Sequence, residues 1–295
     1  MSPNGQEFPQ LKARLHRRPI LLAPGIYDAL SATIAADAGA EVLYLSGAAM
    51  AYTRLGRPDI GLVSMHEVVE TIALIRDRVA TPLIVDADNG YGNALNMQRT
   101  MRLFERAGAN ALQIEDQAYP KRCGHLSDKT LISPVEMAGK LRAAADARHS
   151  EETLIIARTD ALAVEGFGAA IERASRYAES GADVLFVEAP GSVEELARIT
   201  EALKGTLPLM ANMVEGGRTP MTAAQELEKL GFALVIFPGG IVRAIAHAAQ
   251  AFYATLLRDG TTIGFRNAMF DFDELNTVIG TPEMLALGKS YEGQP

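Results

Sequence analysis

The sequence predicts an α/β fold, a (β/α)8 barrel of the TIM type with flanking N-terminal and C-terminal helices. Three observations carry that prediction. Short apolar runs alternate with amphipathic segments along the chain, and eight such runs can be counted. No break in composition divides them, so the 295 residues are expected to form one barrel domain, 1–295, with a helical extension over 260–295. The first run is followed by Pro24-Gly25-Ile26-Tyr27 instead of a Gly-rich phosphate fingerprint, which sets a doubly wound sheet aside.

In chain order the strands are expected at 20–23, 42–45, 83–87, 111–115, 154–158, 184–188, 208–212 and 233–237. Each is bounded by Gly, Pro or charge, and most are β-branched or Leu-rich. Helical patterns fill the gaps at 27–37, 66–78, 95–107, 134–147, 168–180, 193–203 and 223–230, several closing on Ala-Gly-Ala or Ser-Gly-Ala stop signals. A last helix, 241–257, follows strand eight. An N-terminal segment through Arg17 and a tail from Gly260 flank the barrel. The tail carries Met269, Phe270, Phe272 and Leu275 and needs a docking surface, which predicts an oligomer.

Composition excludes several functions. Lys plus Arg number 28 against 36 Asp plus Glu, a net charge of −8 with the signs interspersed, so no cationic footprint for nucleic acid exists. Trp is absent and aromatics are few, so stacked bases are not suggested. The longest apolar stretch, 232–253, is interrupted by Pro238-Gly239-Gly240, Arg243 and His247, so no membrane span is expected. The N-terminus has no signal-peptide pattern, and one cysteine cannot close an intramolecular disulfide; a cytoplasmic location is expected.

That cysteine, Cys123, sits in Lys121-Arg122-Cys123-Gly124-His125. Positive neighbours favour thiolate, so easier ionisation is expected, with the thiol exchanging a proton or attacking an electrophile. The second signal is convergence: the strand ends of a barrel meet on one face. They bring Tyr44, Ser46 and Gly47, then Asp86 and Asp88, then Glu115, Arg158, Glu188 and Asn212, with Asp59 in the loop after strand two. Carboxylates at Asp86, Asp88, Glu115 and Asp59 would repel one another, and a hard divalent cation resolves this; Mg2+ suits it, with Mn2+ as the alternative. Arg158 can grip a carboxylate or a developing oxyanion, or pair with Glu188. Asn212 can donate to substrate or satisfy a strand end, and Gly47 leaves room for a ligand. His16, His66, His149 and His247 are expected to be structural. The connection 116–133 is long for a βα loop and is expected to bring Cys123 over the cation site as a gate.

These residues resemble the isocitrate lyase and phosphoenolpyruvate mutase superfamily over about Pro24 to Arg243. The 121–125 pentapeptide looks like the signature of its carbon–carbon lyase branch, alongside Asp86-Ala87-Asp88, Ile114-Glu115-Asp116-Gln117 and Ala157-Arg158-Thr159-Asp160. The resemblance implies Mg2+, a last barrel helix exchanged between subunits, and a homotetramer. It implies that a 2-hydroxy acid binds near Ser46, Gly47, Ala48 and Asp86, with Tyr44 the route for its hydroxyl proton. Cleavage of C2–C3 then gives a 2-oxo acid such as pyruvate. Arg158 holds the other fragment as an enediolate and Cys123 protonates it, in a loop with Lys121 and Gly124. Glu188, Asn212 and His125 orient the leaving dicarboxylate, and Arg243 recognises a third carboxylate. Phe186 and 238–243 resemble methylisocitrate lyases, whereas 46–49 lacks the longer glycine run usual in them and 212–220 looks more like the dimethylmalate lyase and petal-death branch. 2-Methylisocitrate and 2-alkylmalates such as 2,3-dimethylmalate are therefore both expected substrates, with oxaloacetate hydrolysis or decarboxylation, phosphonopyruvate chemistry and a non-catalytic metabolite-binding barrel as alternatives.

Overall fold

The computed structural model describes residues 10–126 and 128–292. After a short helix α1 (Leu11–Arg14), the eight expected strands appear as β1 (Leu21–Ile26), β2 (Leu43–Leu45), β3 (Leu83–Asp86), β4 (Ala111–Glu115), β5 (Leu154–Thr159), β6 (Val184–Val187), β7 (Leu209–Asn212) and β8 (Leu234–Phe237). All pair in parallel in chain order and close into a barrel. The helices between them are α2 (Ala29–Asp37), α3 (Gly47–Met50), α4 (Met65–Arg78), α5 (Ala94–Ala107), α6 (Pro134–Ala147), α7 (Ala161–Val164), α8 (Phe167–Ala178), α9 (Val193–Ala202) and α10 (Ala224–Leu230). Side-chain hydroxyls and carboxylates start many of them: Asp28 caps α2, Ser64 caps α4, Ser133 caps α6 and Ser192 caps α9.

Strand β1 runs past its expected end because Pro24 and Gly25 continue the ladder. Pro24 pairs with Phe237 of β8, and a Cβ on Gly25 would sit 2.7 Å from the Phe237 carbonyl oxygen. The glycine therefore marks a close approach of two backbones, not a strand end. Short pieces were not legible as periodicity, among them α3, the single π-helical turn Ala51–Leu55 that follows it, and α7.

Period-two alternation explains how the barrel positions a site. Tyr44, Ile84, Ala111, Ile156, Phe186, Met210 and Ile236 share one buried cluster inside the barrel, with Leu11 and Leu15 joining it from the N-terminal segment. The neighbours Leu43, Leu45, Val85, Leu112, Ala157, Leu185 and Val235 belong to the other cluster, between sheet and helices. Two residues beyond Ile84, Ile156, Phe186 and Met210 stand Asp86, Arg158, Glu188 and Asn212, on the same inward series at the mouth. Apolar layers thus fill the interior and a polar layer caps it.

The chain divides into two compact units, Met1–Gly240 and Ile241–Pro295, at the start of α11 (Gly240–Asp259). The second unit also holds a 3-10 turn (Ile263–Ala268), α12 (Phe272–Val278) and α13 (Thr281–Tyr291). No helix among the described residues is long and apolar enough to cross a membrane.

Candidate active site

Strand register builds the site. Asp86 pairs with Gln113 and Glu115 with Arg158 along neighbouring strands, so these side chains emerge side by side. The Asp86 carboxylate accepts from the Gly47 N–H at 3.3 Å, the Asp88 N–H at 3.2 Å and Gln113 Nε2 at 3.3 Å. Gln113 is itself oriented by the Tyr44 hydroxyl, which donates to Gln113 Oε1 at 2.7 Å. Burial pushes the Tyr44 phenol well above its usual range, so it stays neutral. Asp88 turns back toward the mouth in a left-handed conformation, φ 48°, which Asp tolerates better than most residues.

Lys121 is buried between two carboxylates, 2.6 Å from Asp59 Oδ1 and 2.7 Å from Asp88 Oδ1. The Asp59 contact is a hydrogen bond. The Asp88 contact is an ion pair. Burial lifts the Asp88 carboxyl to about 7 against the pull of Lys121, with repulsion from Asp86 and Asp59 adding to the rise. Arg158 does not pair with Glu188. Its Nη1 lies 3.2 Å from Glu115 Oε2, while Nε and Nη2 fork onto Asp160 at 2.9 and 3.1 Å, and its Cζ lies 5.4 Å from the Phe186 ring centre. Glu188 accepts from Asn212 Nδ2 at 3.2 Å, and His125 Nε2 stands 3.1 Å from it without hydrogen-bond alignment. His125 Nδ1 accepts the Arg218 N–H at 3.1 Å, and burial holds the imidazole pKa below its ordinary value.

The long connection lies over this mouth. Its base is zipped by Ile132 N–H to Asp116 O at 3.0 Å and Ala118 N–H to Thr130 O at 2.8 Å, and the Cys123 N–H donates to Asp59 O at 3.1 Å. Gly124 packs so tightly that an added Cβ would stand 2.6 Å from Glu188 Oε1. The expectation of an easily ionised thiol is overturned. Burial pushes the Cys123 pKa up; Asp59 and Glu188 add to the rise, and a backbone hydrogen bond and Arg158 only partly oppose it. The adjacent Lys121 is spent on Asp59 and Asp88, and Arg122 points outward, half-exposed, so sequence proximity to cations does not translate into thiolate stabilisation.

The donor set fits a hard divalent cation. Asp86 Oδ2 and Asp88 Oδ1 both face the space above Gly47, where a Cβ would come within 3.1 and 3.4 Å of them. Glu115 Oε1 is buried with no hydrogen-bond partner. Among the described residues no three ligating side chains converge as a ready-made cage. Of the four expected ligands, Asp59 and Asp88 both contact Lys121 and Glu115 pairs with Arg158, which leaves Asp86 as the carboxylate that makes no ion pair. Few protein ligands with water completing the sphere is the arrangement Mg2+ tolerates.

Three residues of this network were not singled out from sequence as site residues. Lys129 reaches Asp160 Oδ1 at 2.8 Å. Asp116 collects Thr159 Oγ1, the Asp160 N–H, Tyr177 OH and Arg173 Nη1 and holds the end of β5 from behind. Gln113 ties Tyr44 to Asp86. Of the expected residues, Ser46 caps α3 by accepting from the Ala49 N–H at 3.2 Å, and Ala48 lies in that helix. Arg243 lies on α11 in the C-terminal unit.

Residues 11–257 match the family model described as phosphoenolpyruvate phosphomutase. The chain belongs to the phosphoenolpyruvate mutase/isocitrate lyase superfamily. It is 38% identical to 2,3-dimethylmalate lyase of Eubacterium barkeri over 96% of this chain and 97% of that one. It is 43% identical to 2-methylisocitrate lyase of Aeropyrum pernix over 92% of this chain and 86% of the relative. A crystal structure of 2,3-dimethylmalate lyase superposes with TM-score 0.89 at 34% identity, covering 96% of this chain and 94% of the other. Phosphonopyruvate hydrolase, solved with oxalate and Mg++, superposes at 0.87 with 27% identity, covering 99% and 100%. These relatives place the chain among the oxo-acid lyases of the superfamily.

Proposed function

We propose that this enzyme is a Mg2+-dependent carbon–carbon lyase that splits a 2-hydroxy di- or tricarboxylate, 2-methylisocitrate or a 2-alkylmalate such as 2,3-dimethylmalate, into pyruvate and a carboxylate. The relatives' named activities support the substrate class, and the oxygen donors at Asp86 and Asp88 support the cation. A bound Mg2+ supplies Lewis-acid polarisation of the substrate's hydroxyl and carboxylate oxygens. The remaining chemistry falls to the chain. Tyr44, neutral and donating to Gln113, is the proposed route for the substrate hydroxyl proton: its oxygen takes that proton as its own O–H proton passes on to water, and a proton from water restores the Cys123 thiol after turnover. As the C2–C3 bond breaks, its electron pair moves onto the departing carboxylate fragment, where the Arg158 guanidinium meets the developing charge. The Cys123 S–H then gives its proton to that carbon. Ser46, Gly47 and Ala48 border the substrate; His125, Gly124, Glu188 and Asn212 orient its carboxylates; Lys121 balances Asp59 and Asp88. We place it in the cytoplasm as a homotetramer with the last barrel helix exchanged between subunits.

The observation that carries this reading is the seating of Cys123 at the barrel mouth, where its N–H donates to Asp59 O at 3.1 Å and Gly124 beside it packs against Arg158 and Glu188; desolvation there raises the thiol pKa against the pull of Arg158, as suits a general acid. The test is product analysis with Mg2+ on 2-methylisocitrate, 2,3-dimethylmalate, other 2-alkylmalates, oxaloacetate and phosphonopyruvate, repeated with EDTA and with Cys123→Ser. Pyruvate release from a hydroxy acid, abolished by EDTA and lowered at least ~100-fold in Cys123→Ser with binding retained, is expected. Full turnover by Cys123→Ser, or cleavage of phosphonopyruvate alone, would overturn it.

A further inference from the structure

Lys129 is a buried cation that the proposed chemistry does not use. Its side chain is 2% exposed, and its ammonium is 2.8 Å from Asp160 Oδ1 while also donating to the Gly124 carbonyl. Those two acceptors belong to different halves of the site. Asp160 is the carboxylate that forks onto Arg158 Nε and Nη2, and its backbone is pinned by its own N–H donating to Asp116 Oδ1 at 2.9 Å. Gly124 is the residue after Cys123, and an added Cβ there would strike Arg158 Nη2 and lie 2.6 Å from Glu188 Cγ. One ammonium thus touches both the carboxylate that aims the guanidinium and the backbone that carries the thiol. Burying an ion pair is a poor source of stability, since desolvation offsets the attraction, so stability alone does not account for this placement.

We infer that Lys129 is a positioning residue that sets the spacing between the Cys123 thiol and the Arg158 guanidinium by bridging Gly124 O and Asp160. The alternative role is simple neutralisation of Asp160. The two differ in what happens when the Asp160 charge is removed. In an Asp160→Asn background a neutraliser has nothing left to do, whereas the Gly124 carbonyl still loses its donor when Lys129 is replaced.

The experiment measures Cys123 alkylation by iodoacetamide, for which the sole cysteine gives an unambiguous readout, together with kcat and KM. The proteins are wild type, Lys129→Met, Lys129→Arg, Asp160→Asn and Asp160→Asn/Lys129→Met, with exposed Lys204→Met as control. Lys129→Met is expected to be alkylated severalfold faster and to lose about 100-fold in kcat with little change in KM, the cost of misplacing reacting groups by roughly 1 Å. Lys129→Arg should fall between it and wild type. The double variant should be alkylated faster than Asp160→Asn alone. Equal rates for those two, or wild-type values for Lys129→Arg in both readouts, would reduce Lys129 to a counter-charge. If Lys129→Met does not fold, the Lys129→Arg result decides. The kcat arm rests on the lyase reading and the alkylation arm does not, so an enzyme that cleaves no hydroxy acid sinks the first and leaves the second decisive.

Discussion

At the scale of single residues, Cys123 shows why neighbours in sequence mislead. Lys121, Arg122 and His125 stand within two positions of it, yet Lys121 is committed to Asp59 and Asp88 and His125 is held neutral by burial. Desolvation then governs the thiol and raises its pKa. A raised value means that the reactive thiolate forms only above the range of an ordinary cysteine. Iodoacetamide rates measured across pH 6 to 10 should therefore give a titration midpoint above that of a free cysteine, with slower alkylation at neutral pH. A midpoint shifted downward would show that the cations dominate after all and would remove the general-acid role. The identities at the strand ends were legible because a barrel sends every such residue to one mouth; their pairings were not. That Arg158 takes Asp160 and Glu115, leaving Glu188 to Asn212 and His125, depends on register and rotamer, which residue types alone do not specify.

At the scale of elements, the eight strands were readable because buried parallel strands are short apolar runs, and their inward positions follow from alternation once the barrel is closed. The connection between β4 and α6 was readable as long, but not how it is seated: that needs Lys121, Gly124, His125 and Lys129 each to find a partner on a different strand or loop. Gly124 is the tightest of these contacts. A methyl at that position would meet Glu188 Oε1 at 2.6 Å and crowd the Arg158 guanidinium, so the turn carrying Cys123 must lift. Gly124→Ala is expected to lower kcat by more than tenfold, on the order of the cost of a displaced catalytic group, while the barrel's thermal midpoint stays near that of wild type. Wild-type turnover in Gly124→Ala would mean that the turn is not seated against Arg158 during catalysis. A collapse of the thermal midpoint would instead make Gly124 a determinant of folding.

At the scale of the molecule, the C-terminal unit presents what a solvated surface ordinarily avoids. Leu257 is 84% exposed, Phe272 82% and Ile263 80%, and Met284, Leu285 and Tyr291 are exposed with them. Scattered apolar residues are normal on a surface, but a succession along α11, the 3-10 turn, α12 and α13 is what the proposed association between copies of the chain would cover. A net charge of −8 does nothing to cover that surface. The expected occupant is another copy of the chain, as a homotetramer requires. Light scattering on the purified protein should therefore give a mass about four times the chain's 31.6 kDa, constant over micromolar concentrations. Replacing Phe272 and Leu285 by Asp should lower that mass, because each buried charge without a partner opposes the interface by several kcal/mol. A stable monomer at tens of micromolar would leave the apolar face unexplained by self-association and would overturn the tetramer, while leaving the assignment of the barrel-mouth residues untouched.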